Sequence, residues 1–261
     1  MKKRKILFFD IDHTLYDPDT KSIPKSTYLA FEKLSARQDT IIGIATGRAF
    51  YMLDIIEPLK PFIHAYITIN GQIVTANDTL LHDEMMSKDT IYKIKETFND
   101  FNLTFGFIGK DSQAINRLDA DTEAMFKAAS IPLPIENPHY DEHHEVYQMW
   151  AFANEKMFEK VALKLPNYQL VPWLSDGFDV ILGSRSKRDG VEKILEHYQL
   201  SVHDAYCFGD GDNDLEMLAY IPQSFAMGNA KKNVKQCAKY TIKPLKEDGI
   251  YLALKELGLI D

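Results

Sequence analysis

Short unbroken runs of hydrophobic residues alternate with segments of helical periodicity in the first part of the chain. The first run, 6–9, is followed by a helical segment at 24–36 and by a second apolar run at 40–45. Continuous apolar runs are typical of strands covered on both faces, as in parallel sheets. A helix at 48–59 and a strand at 65–69 continue the alternation, which predicts βαβ units and a mostly parallel sheet.

The pattern changes after Asn70 and Gly71, which predict a hairpin turn into a strand at 72–76. Between about residues 80 and 173 we expect an α+β unit inserted into the first one, with Ser87 as an N-cap. Its predicted helices are 88–101, 119–129 and 155–165, and its predicted strands are 103–107, 146–152 and 168–174.

The alternation of apolar runs and helical segments resumes near the C-terminus, so the two outer parts of the chain should build one sheet. The predicted helices there are 189–198, 214–220 and 249–257, and the predicted strands are 205–208 and 224–227. The fold class we expect is α/β, a core of residues 1–80 and 184–261 with helices on both faces of its sheet. Residues 81–183 would form the inserted domain.

Composition narrows the function classes without selecting one. The 261 residues, 45% hydrophobic and 26% charged, suit a globular protein of one or two domains. A net charge of -8 argues against sequence-independent nucleic-acid binding, which needs a basic face, but permits small anionic substrates. No apolar run is long enough to span a bilayer, and Cys207 and Cys237 make no CxxC pair. We therefore expect a cytoplasmic protein without a membrane or nucleic-acid partner.

Two aspartates follow the first apolar run, where a buried strand would not ordinarily present charge. Side chains two residues apart on an extended chain point to the same side, so Asp10 and Asp12 would repel each other without a cation between them. This pattern favours a metal site. The alternative is a solvated turn in which an aspartate caps the next helix.

Thr46 and Gly47 follow the 40–45 strand and precede a helix. A hydroxyl beside unencumbered backbone N–H groups at a helix N-terminus suits a phosphate oxygen, although Thr46 could merely be an N-cap. We interpret Arg48 as an ion-pair partner rather than a phosphate ligand. The basic cluster Arg185, Lys187 and Arg188 is either solvated, or its lysine neutralises a phosphoryl group and restrains nearby carboxylates.

The stretch 209–214, GDGDND, follows another apolar strand and carries three aspartates and an asparagine. Oxygen ligands in a glycine-punctuated loop fit a hard cation. The order of residues disagrees with an EF-hand, and no glutamate closes the loop. We therefore expect Asp210 to share Mg²⁺ with Asp10.

Together these positions predict phosphoryl transfer. Asp10 would attack phosphorus and form an aspartyl-phosphate, while Asp12 would protonate the leaving alcohol and then deprotonate water. Thr46, Lys187 and Asn213 would hold the phosphoryl oxygens.

Four ordered motifs, DIDHT, ATGR, the lysine of SKRDGVEKIL, and GDGDNDLEML, resemble those of the haloacid dehalogenase superfamily. Within it the chain is similar to the Cof-like phosphatases, type II subclass B, and the likeness runs from end to end. The resemblance implies a Rossmann-like core with a large α/β cap inserted. It implies the following roles: Asp10 as nucleophile and metal ligand, Asp12 as acid/base with its backbone carbonyl on Mg²⁺, Asp210 as metal ligand, Asp214 as metal ligand or its partner, and Thr46, Gly47, Lys187 and Asn213 as phosphate contacts.

The resemblance has two departures. His13 and Arg188 stand where glycines are common in the family, which puts the first turn in doubt and could alter access at the hinge of the cap. In the cap, Trp173 and the loop 139–144 are candidates for substrate contact. Tryptophan is more often a core residue, and loop histidines are more often solvated.

The substrate we expect is a small phosphorylated metabolite, in the first place a sugar phosphate, bound by a monomer or homodimer. Three alternatives stay open: a phosphomutase, a signalling domain that accepts phosphate, and a phosphate-binding protein without turnover. A signalling domain would not need a large cap, nor an acid/base carboxylate beside the acceptor.

Overall fold

A computed structural model describes residues 4–128, 131–173, 177–182 and 186–261 of the chain. It contains two compact units, the first formed by Met1–Arg48, Leu53–Asp83 and Ser186–Asp261, the second by Ala49–Met52 and Glu84–Arg185. The sequence-based domain limits at 80/81 and 183/184 stay a prediction, and the second limit falls outside the described residues. No helix in the described part of the chain combines the length and the apolar character needed to cross a membrane.

Both units contain strands and helices. The strands are β1 Lys5–Phe9, β2 Thr40–Ala45, β3 Ala65–Thr68, β4 Ile73–Ala76, β5 Thr79–Asp83, β6 Phe105–Ile108, β7 Gln113–Ile115, β8 Ile135–Glu136, β9 Gln148–Phe152, β10 Tyr168–Pro172, β11 Gly177–Leu182, β12 Ala205–Gly209, β13 Gln223–Ala226 and β14 Tyr240–Thr241. The α-helices are α1 Lys25–Ser35, α2 Lys88–Asp100, α3 Ala120–Ala128, α4 Tyr140–His143, α5 Glu155–Lys164, α6 Lys187–Tyr198, α7 Leu215–Tyr220, α8 Lys232–Cys237 and α9 Gly249–Glu256.

The first unit is built on an eight-stranded sheet in the order β14-β13-β12-β1-β2-β3-β4-β5. The six strands from β14 to β3 are parallel, and β4 and β5 are antiparallel additions at one edge. Because β1 continues to β2 on one side and pairs with β12 on the other, the chain changes direction across the sheet beside β1. Ligands of open α/β sheets bind at the carboxyl ends of strands beside such a point.

Both faces of this sheet are buried, as the continuous apolar runs predict. Leu7 and Phe9 of β1 pack towards α1 and α9, while Ile6 and Phe8 pack towards α6, α7 and α8. On the first of these faces a column of stacked rings crosses four neighbouring strands, with centroids 4.8–5.1 Å apart; it consists of Phe9, Phe208, Phe225 and Tyr240. Stacking of this kind makes the central strands a rigid base for the loops that follow them.

The helix expected at 48–59 is shifted and is not α-helical. Phe50–Phe62 forms 3₁₀ turns that are interrupted at Ile56 and contain Pro58 and Pro61. Proline has no N–H to donate and clashes with the preceding turn, so a regular α-helix cannot continue here. The predicted hairpin is present, because β3 and β4 pair antiparallel around a turn in which Asn70 has φ 54°.

The second unit has a six-stranded sheet in the order β10-β11-β9-β6-β7-β8, antiparallel except for the β7–β8 pair. Its core lies on one face of the sheet, where helices α2 and α5 pack, and includes Phe98 and Val161. Ser87 caps α2 as predicted, since its hydroxyl oxygen accepts a hydrogen bond from the backbone N–H of Thr90. The short strands β7, β8 and β11 were missed because two to six residues show too little alternation to be distinguished from loop.

Candidate active site

Three neighbouring strands of the first sheet deliver polar residues to the same edge. Asp10 follows β1, Thr46 follows β2, and Asp210 follows β12. The backbone N–H of Asp10 donates to the carbonyl oxygen of Phe208 at 3.0 Å, which ties the end of β1 to β12. The sheet therefore brings together residues that lie 36 to 200 positions apart in the sequence.

Lys187 connects the segment after β1 to the loop after β12. Its side chain is fully buried at the start of α6, and Nζ donates to Oδ1 of Asp10 at 2.6 Å and to Oδ1 of Asp214 at 2.7 Å. The two carboxylates raise the pKa of Lys187 more than burial lowers it, so the side chain stays an ammonium. Of the predicted basic cluster, Lys187 and Arg188 are separated, because Arg188 lies on the helix surface, paired with Glu192 at 2.7 Å. Arg185 falls outside the described residues.

Asp214 organises the loop after β12. Its Oδ2 accepts hydrogen bonds from the backbone N–H groups of Asp210 and Gly211, both at 2.9 Å, while Oδ1 accepts from Lys187. A β-carbon on Gly209 would lie 2.5 Å from the Asp214 carboxyl carbon, so this position has room only for glycine. With both oxygens engaged by protein donors, Asp214 shapes the loop that presents Asp210.

The carboxylates of Asp10, Asp210 and Asp214 form a cluster in which one oxygen from each lies within 4.8 Å of the others. Burial raises the pKa of Asp10 to about 7, an effect that Lys187 opposes and that Asp214 and Asp12 reinforce. Burial, followed by the charges of Asp10 and Asp214, likewise raises the pKa of Asp210 well above its ordinary range. Three carboxylates against one ammonium leave excess negative charge, and their hard oxygen atoms suit a divalent cation such as Mg²⁺.

The carboxylate of Asp12 is not part of this cluster. Its Oδ2 accepts from Nε of Arg48 and its Oδ1 from Nη2, both at 2.8 Å, which confirms the interpretation of Arg48 as an ion-pair partner. Strand β1 ends at Phe9, so the rule that places residues two apart on one side no longer governs Asp10 and Asp12. Any part of Asp12 in metal binding would fall to its backbone carbonyl, as the family resemblance implies.

The turn after Asp12 forms despite the absence of glycine. His13 adopts φ 58°, its N–H donates to the carbonyl oxygen of Tyr16, and its own carbonyl accepts from Nδ2 of Asn229 at 3.0 Å. Histidine tolerates the left-handed region better than most residues with a side chain. Thr14, which the sequence arguments did not single out, donates from its buried hydroxyl to Oδ1 of Asp210 at 3.1 Å.

The predicted phosphate contacts lie after β2 and in the loop after β12. The hydroxyl oxygen of Thr46 accepts from the N–H of Arg48 at 3.1 Å, so its proton can be donated elsewhere. Asn213 donates from Nδ2 to Oδ1 of Asn70 at 2.9 Å, and a β-carbon on Gly47 would lie tightly against the Asn70 amide, at 3.2 Å. Asn70 entered the sequence analysis as part of a hairpin; its contact with the amide of Asn213 was not evident there.

Asp212 belongs to the same loop but not to the cluster. Its carboxylate accepts from Nζ of Lys231 at 2.6 Å and from Nδ2 of Asn233 at 2.7 Å. These hydrogen bonds lower the pKa of Asp212 against the effect of its partial burial. The loop therefore directs Asp210 and Asp214 to the cluster, whereas Asp212 contacts the start of α8.

The candidates in the second unit are packed within that unit. Trp173 contacts Trp150 and Phe152, with ring centroids 6.0 and 5.8 Å apart, and donates to the carboxylate of Asp179. Residues 139–144, expected to be a loop, contain helix α4, and the ring of His144 stacks on that of Tyr140 with centroids 4.1 Å apart. Contact of either group with substrate stays a prediction.

Comparison with known proteins identifies the family to which this chain belongs. A family model described as haloacid dehalogenase-like hydrolase matches residues 7–254. YkrA of Bacillus subtilis (strain 168), whose name gives phosphatase as its assumed activity, is 34% identical over 261 residues, 98% of each chain. The solved HAD subclass IIB sugar phosphatase BT4131 has a TM-score of 0.91 at 28% identity, covering 98% of this chain and 100% of the other. The phosphatase BT1666 from Bacteroides thetaiotaomicron has a TM-score of 0.88 at 26% identity, with 99% and 96% covered. These matches confirm the family resemblance and the fold class.

Proposed function

We propose that this chain is a Mg²⁺-dependent phosphomonoesterase that works through an aspartyl-phosphate. The chain is a phosphatase and belongs to the haloacid dehalogenase-like hydrolase family. The observation that carries the proposal is the position of the Asp10 carboxylate. It lies in a cluster with two further carboxylates, with one oxygen bonded to a buried ammonium. That arrangement fixes the direction of a nucleophilic oxygen and supplies charge to offset an incoming phosphate.

In the first step an oxygen of Asp10 would form a bond to phosphorus while the bond from phosphorus to the ester oxygen breaks. Asp12, entering the step as a carboxylic acid, would give its proton to the departing alcohol. In the second step Asp12 would take a proton from water as the water oxygen bonds to phosphorus. The bond to Asp10 then breaks, and inorganic phosphate leaves.

The chain's own residues would bind and orient the phosphoryl group in both steps. The hydroxyl of Thr46, the N–H of Gly47 and the amide of Asn213 are donors, and Lys187 offsets negative charge. Asp10 and Asp210, with the backbone carbonyl of Asp12, would hold Mg²⁺, whose positive charge would reduce repulsion between the nucleophile and the phosphate. Asp214 would keep Asp210 in place through the loop N–H groups.

We extend the proposal to small phosphorylated metabolites, with sugar phosphates as the first class to examine. The support is the likeness to the sugar phosphatase BT4131 over nearly the whole of both chains. The relatives reported above are named for phosphatase activity, which favours hydrolysis over a phosphomutase or a protein that only binds phosphate.

The direct test is release of phosphate from p-nitrophenyl phosphate and from a panel of sugar phosphates, with Mg²⁺ and with EDTA. Asp10→Asn should lose at least about 10³-fold in activity, because removing a nucleophile removes the covalent step. Asp212→Asn is the matched control and should keep its activity, since its carboxylate bonds to Lys231 and Asn233.

Three outcomes would contradict the proposal. Hydrolysis that persists in Asp10→Asn would exclude the nucleophile, and a phospho-aspartate stable for hours would indicate a signalling domain. Conversion of a sugar 1-phosphate into the 6-phosphate without net release would indicate a mutase. Mass spectrometry of the acid-quenched protein should instead show a transient adduct on the peptide that contains Asp10.

A further inference from the structure

The contact between Asp12 and Arg48 is a two-point fork rather than a single charged contact. Nε meets Oδ2 and Nη2 meets Oδ1, both at 2.8 Å, so the plane of the guanidinium fixes the plane of the carboxylate. The two partners also differ in exposure, because the Arg48 side chain is 8% exposed and the Asp12 side chain 36%. The fork therefore buries the arginine while part of the Asp12 side chain stays exposed to solvent.

The backbone of Arg48 is fixed by hydrogen bonds at both its N–H and its carbonyl group. Its N–H donates to the hydroxyl oxygen of Thr46 at 3.1 Å, and its carbonyl accepts from the N–H of Ile69 at 3.0 Å. An arginine with a fixed backbone and a buried side chain loses little freedom on pairing, so it can transmit the position of one loop to another. Here it joins the loop after β2 to the loop after β1.

The geometry leaves Asp12 capable of proton transfer. Each carboxylate oxygen has two lone pairs, and a parallel fork uses one on each oxygen. The remaining lone pair on each oxygen lies outside the fork and can hold or take a proton. Without the fork, Asp12 would be free to rotate towards the cluster of Asp10, Asp210 and Asp214 or into solvent, and the fraction of time spent aligned with a leaving oxygen would fall.

We propose that Arg48 is a positioning residue of the reaction: it orients Asp12 so that the same carboxyl group reaches the leaving oxygen in the first step and the attacking water in the second. This inference rests on the proposed function, because it assigns Arg48 a part in the proton transfers of Asp12. It assigns Arg48 a part through Asp12 and not through the phosphoryl group.

Dependence on the leaving group distinguishes this role from a purely structural one. An alkyl alcohol must be protonated as it leaves, whereas p-nitrophenolate leaves readily as an anion. We expect Arg48→Met to lower kcat/KM for a sugar phosphate about 10²-fold, within the range that general acid help provides, and for p-nitrophenyl phosphate less than about tenfold. Because kcat/KM reports only the steps through release of the first product, later hydrolysis of the phosphoenzyme does not mask the difference.

Two further variants locate the effect in Asp12. Arg48→Lys keeps the charge but lacks the planar fork, so it should resemble Arg48→Met rather than the native chain. In the Asp12→Asn background, Arg48→Met should change kcat/KM for the sugar phosphate by less than about threefold, because residues that act as one unit are not additive. A full additional 10²-fold loss in that background would overturn the proposal.

Arg37 is a matched control for the loss of an arginine fork. It makes the same pair with Asp39, Nε to Oδ1 at 2.9 Å and Nη2 to Oδ2 at 3.0 Å, in the same unit and outside the candidate site. Arg37→Met should leave the leaving-group dependence unchanged, whatever it does to the thermal midpoint. If the native chain hydrolyses p-nitrophenyl phosphate but Arg48→Met slows all esters equally, the positioning role is wrong while the phosphatase stands; if the native chain hydrolyses no ester, the proposed function itself fails.

Discussion

The ammonium nitrogen of Lys187 lies 2.6 Å from Oδ1 of Asp10, although 177 residues separate the two in the chain. The same nitrogen lies 2.7 Å from Oδ1 of Asp214, and none of the three side chains is more than 9% exposed. A buried cation between two buried carboxylates matters for the stability of the fold, because its removal would leave unpaired negative charge without water to solvate it.

Lys187→Met should therefore be among the most destabilising single substitutions in the first unit. We expect a loss of about 3–5 kcal/mol at neutral pH, and a smaller loss near pH 5, where the unpaired carboxylates can take up protons. Urea unfolding at the two pH values measures both quantities. Lys231→Met is the control, because it removes an exposed pair with Asp212 and should cost less than about 1 kcal/mol.

Asp210→Asn should weaken Mg²⁺ binding while leaving the fold intact. Replacing one carboxylate removes a charged ligand but keeps an oxygen that can accept from Thr14. The Mg²⁺ concentration for half-maximal activity should rise at least about tenfold, and titration calorimetry should show the same decrease in affinity. An unchanged Mg²⁺ requirement would exclude Asp210 as a ligand, and Asp212→Asn provides the comparison from the same loop.

The left-handed conformation of His13 predicts which substitutions the turn tolerates. His13→Gly should keep stability within about 0.5 kcal/mol, since the relief of backbone strain offsets the added freedom of the unfolded chain. His13→Val should lose about 1–2 kcal/mol, because a β-branched side chain fits poorly at φ 58°. Thermal unfolding measures both variants. Equal stability of the valine and glycine variants would show that the turn is not left-handed in solution.

Asp179 should make the stability of the second unit depend on pH. Burial raises its pKa to about 7 against the hydrogen bonds from Trp173 and Gln148. Between the ordinary value of 3.8 and about 7, the unfolded state has lost a proton that the folded state keeps, so stability falls as pH rises through this window. Above about 7 both states are ionised, and this contribution to the slope ends.

Asp179→Asn should flatten that slope by up to about 1.4 kcal/mol per pH unit. The two tryptophans of the chain, Trp150 and Trp173, both belong to the second unit, so fluorescence during urea unfolding reports on that unit. Below pH 4 the slope of stability against pH should be the same for the native chain and the variant. A native slope no steeper than that of the variant between pH 4 and 7 would contradict the prediction.

Much of the first unit could be predicted because its strands carry a strong local signal. The run 40–45 matches β2 residue for residue, and α1 differs from its predicted limits by one residue at each end. The prediction was weaker where the local signal was short or mixed. Strand β11 was missed, and the α-helix expected after Arg48 is replaced by 3₁₀ turns around Pro58 and Pro61.

For the candidate site, the sequence by itself determined which chemical groups stand at the ends of which strands. Apolar runs that end in Asp10, Thr46 and Asp210 are a local pattern, and parallel strands must place such ends at one edge of a sheet. The tertiary structure decided which charges meet: Lys187 joins Asp10 to Asp214, Arg48 takes Asp12, and Lys231 takes Asp212. Spacing along the chain cannot distinguish these pairings, because they depend on angstrom-scale distances between loops that are set by how the helices pack on the sheet.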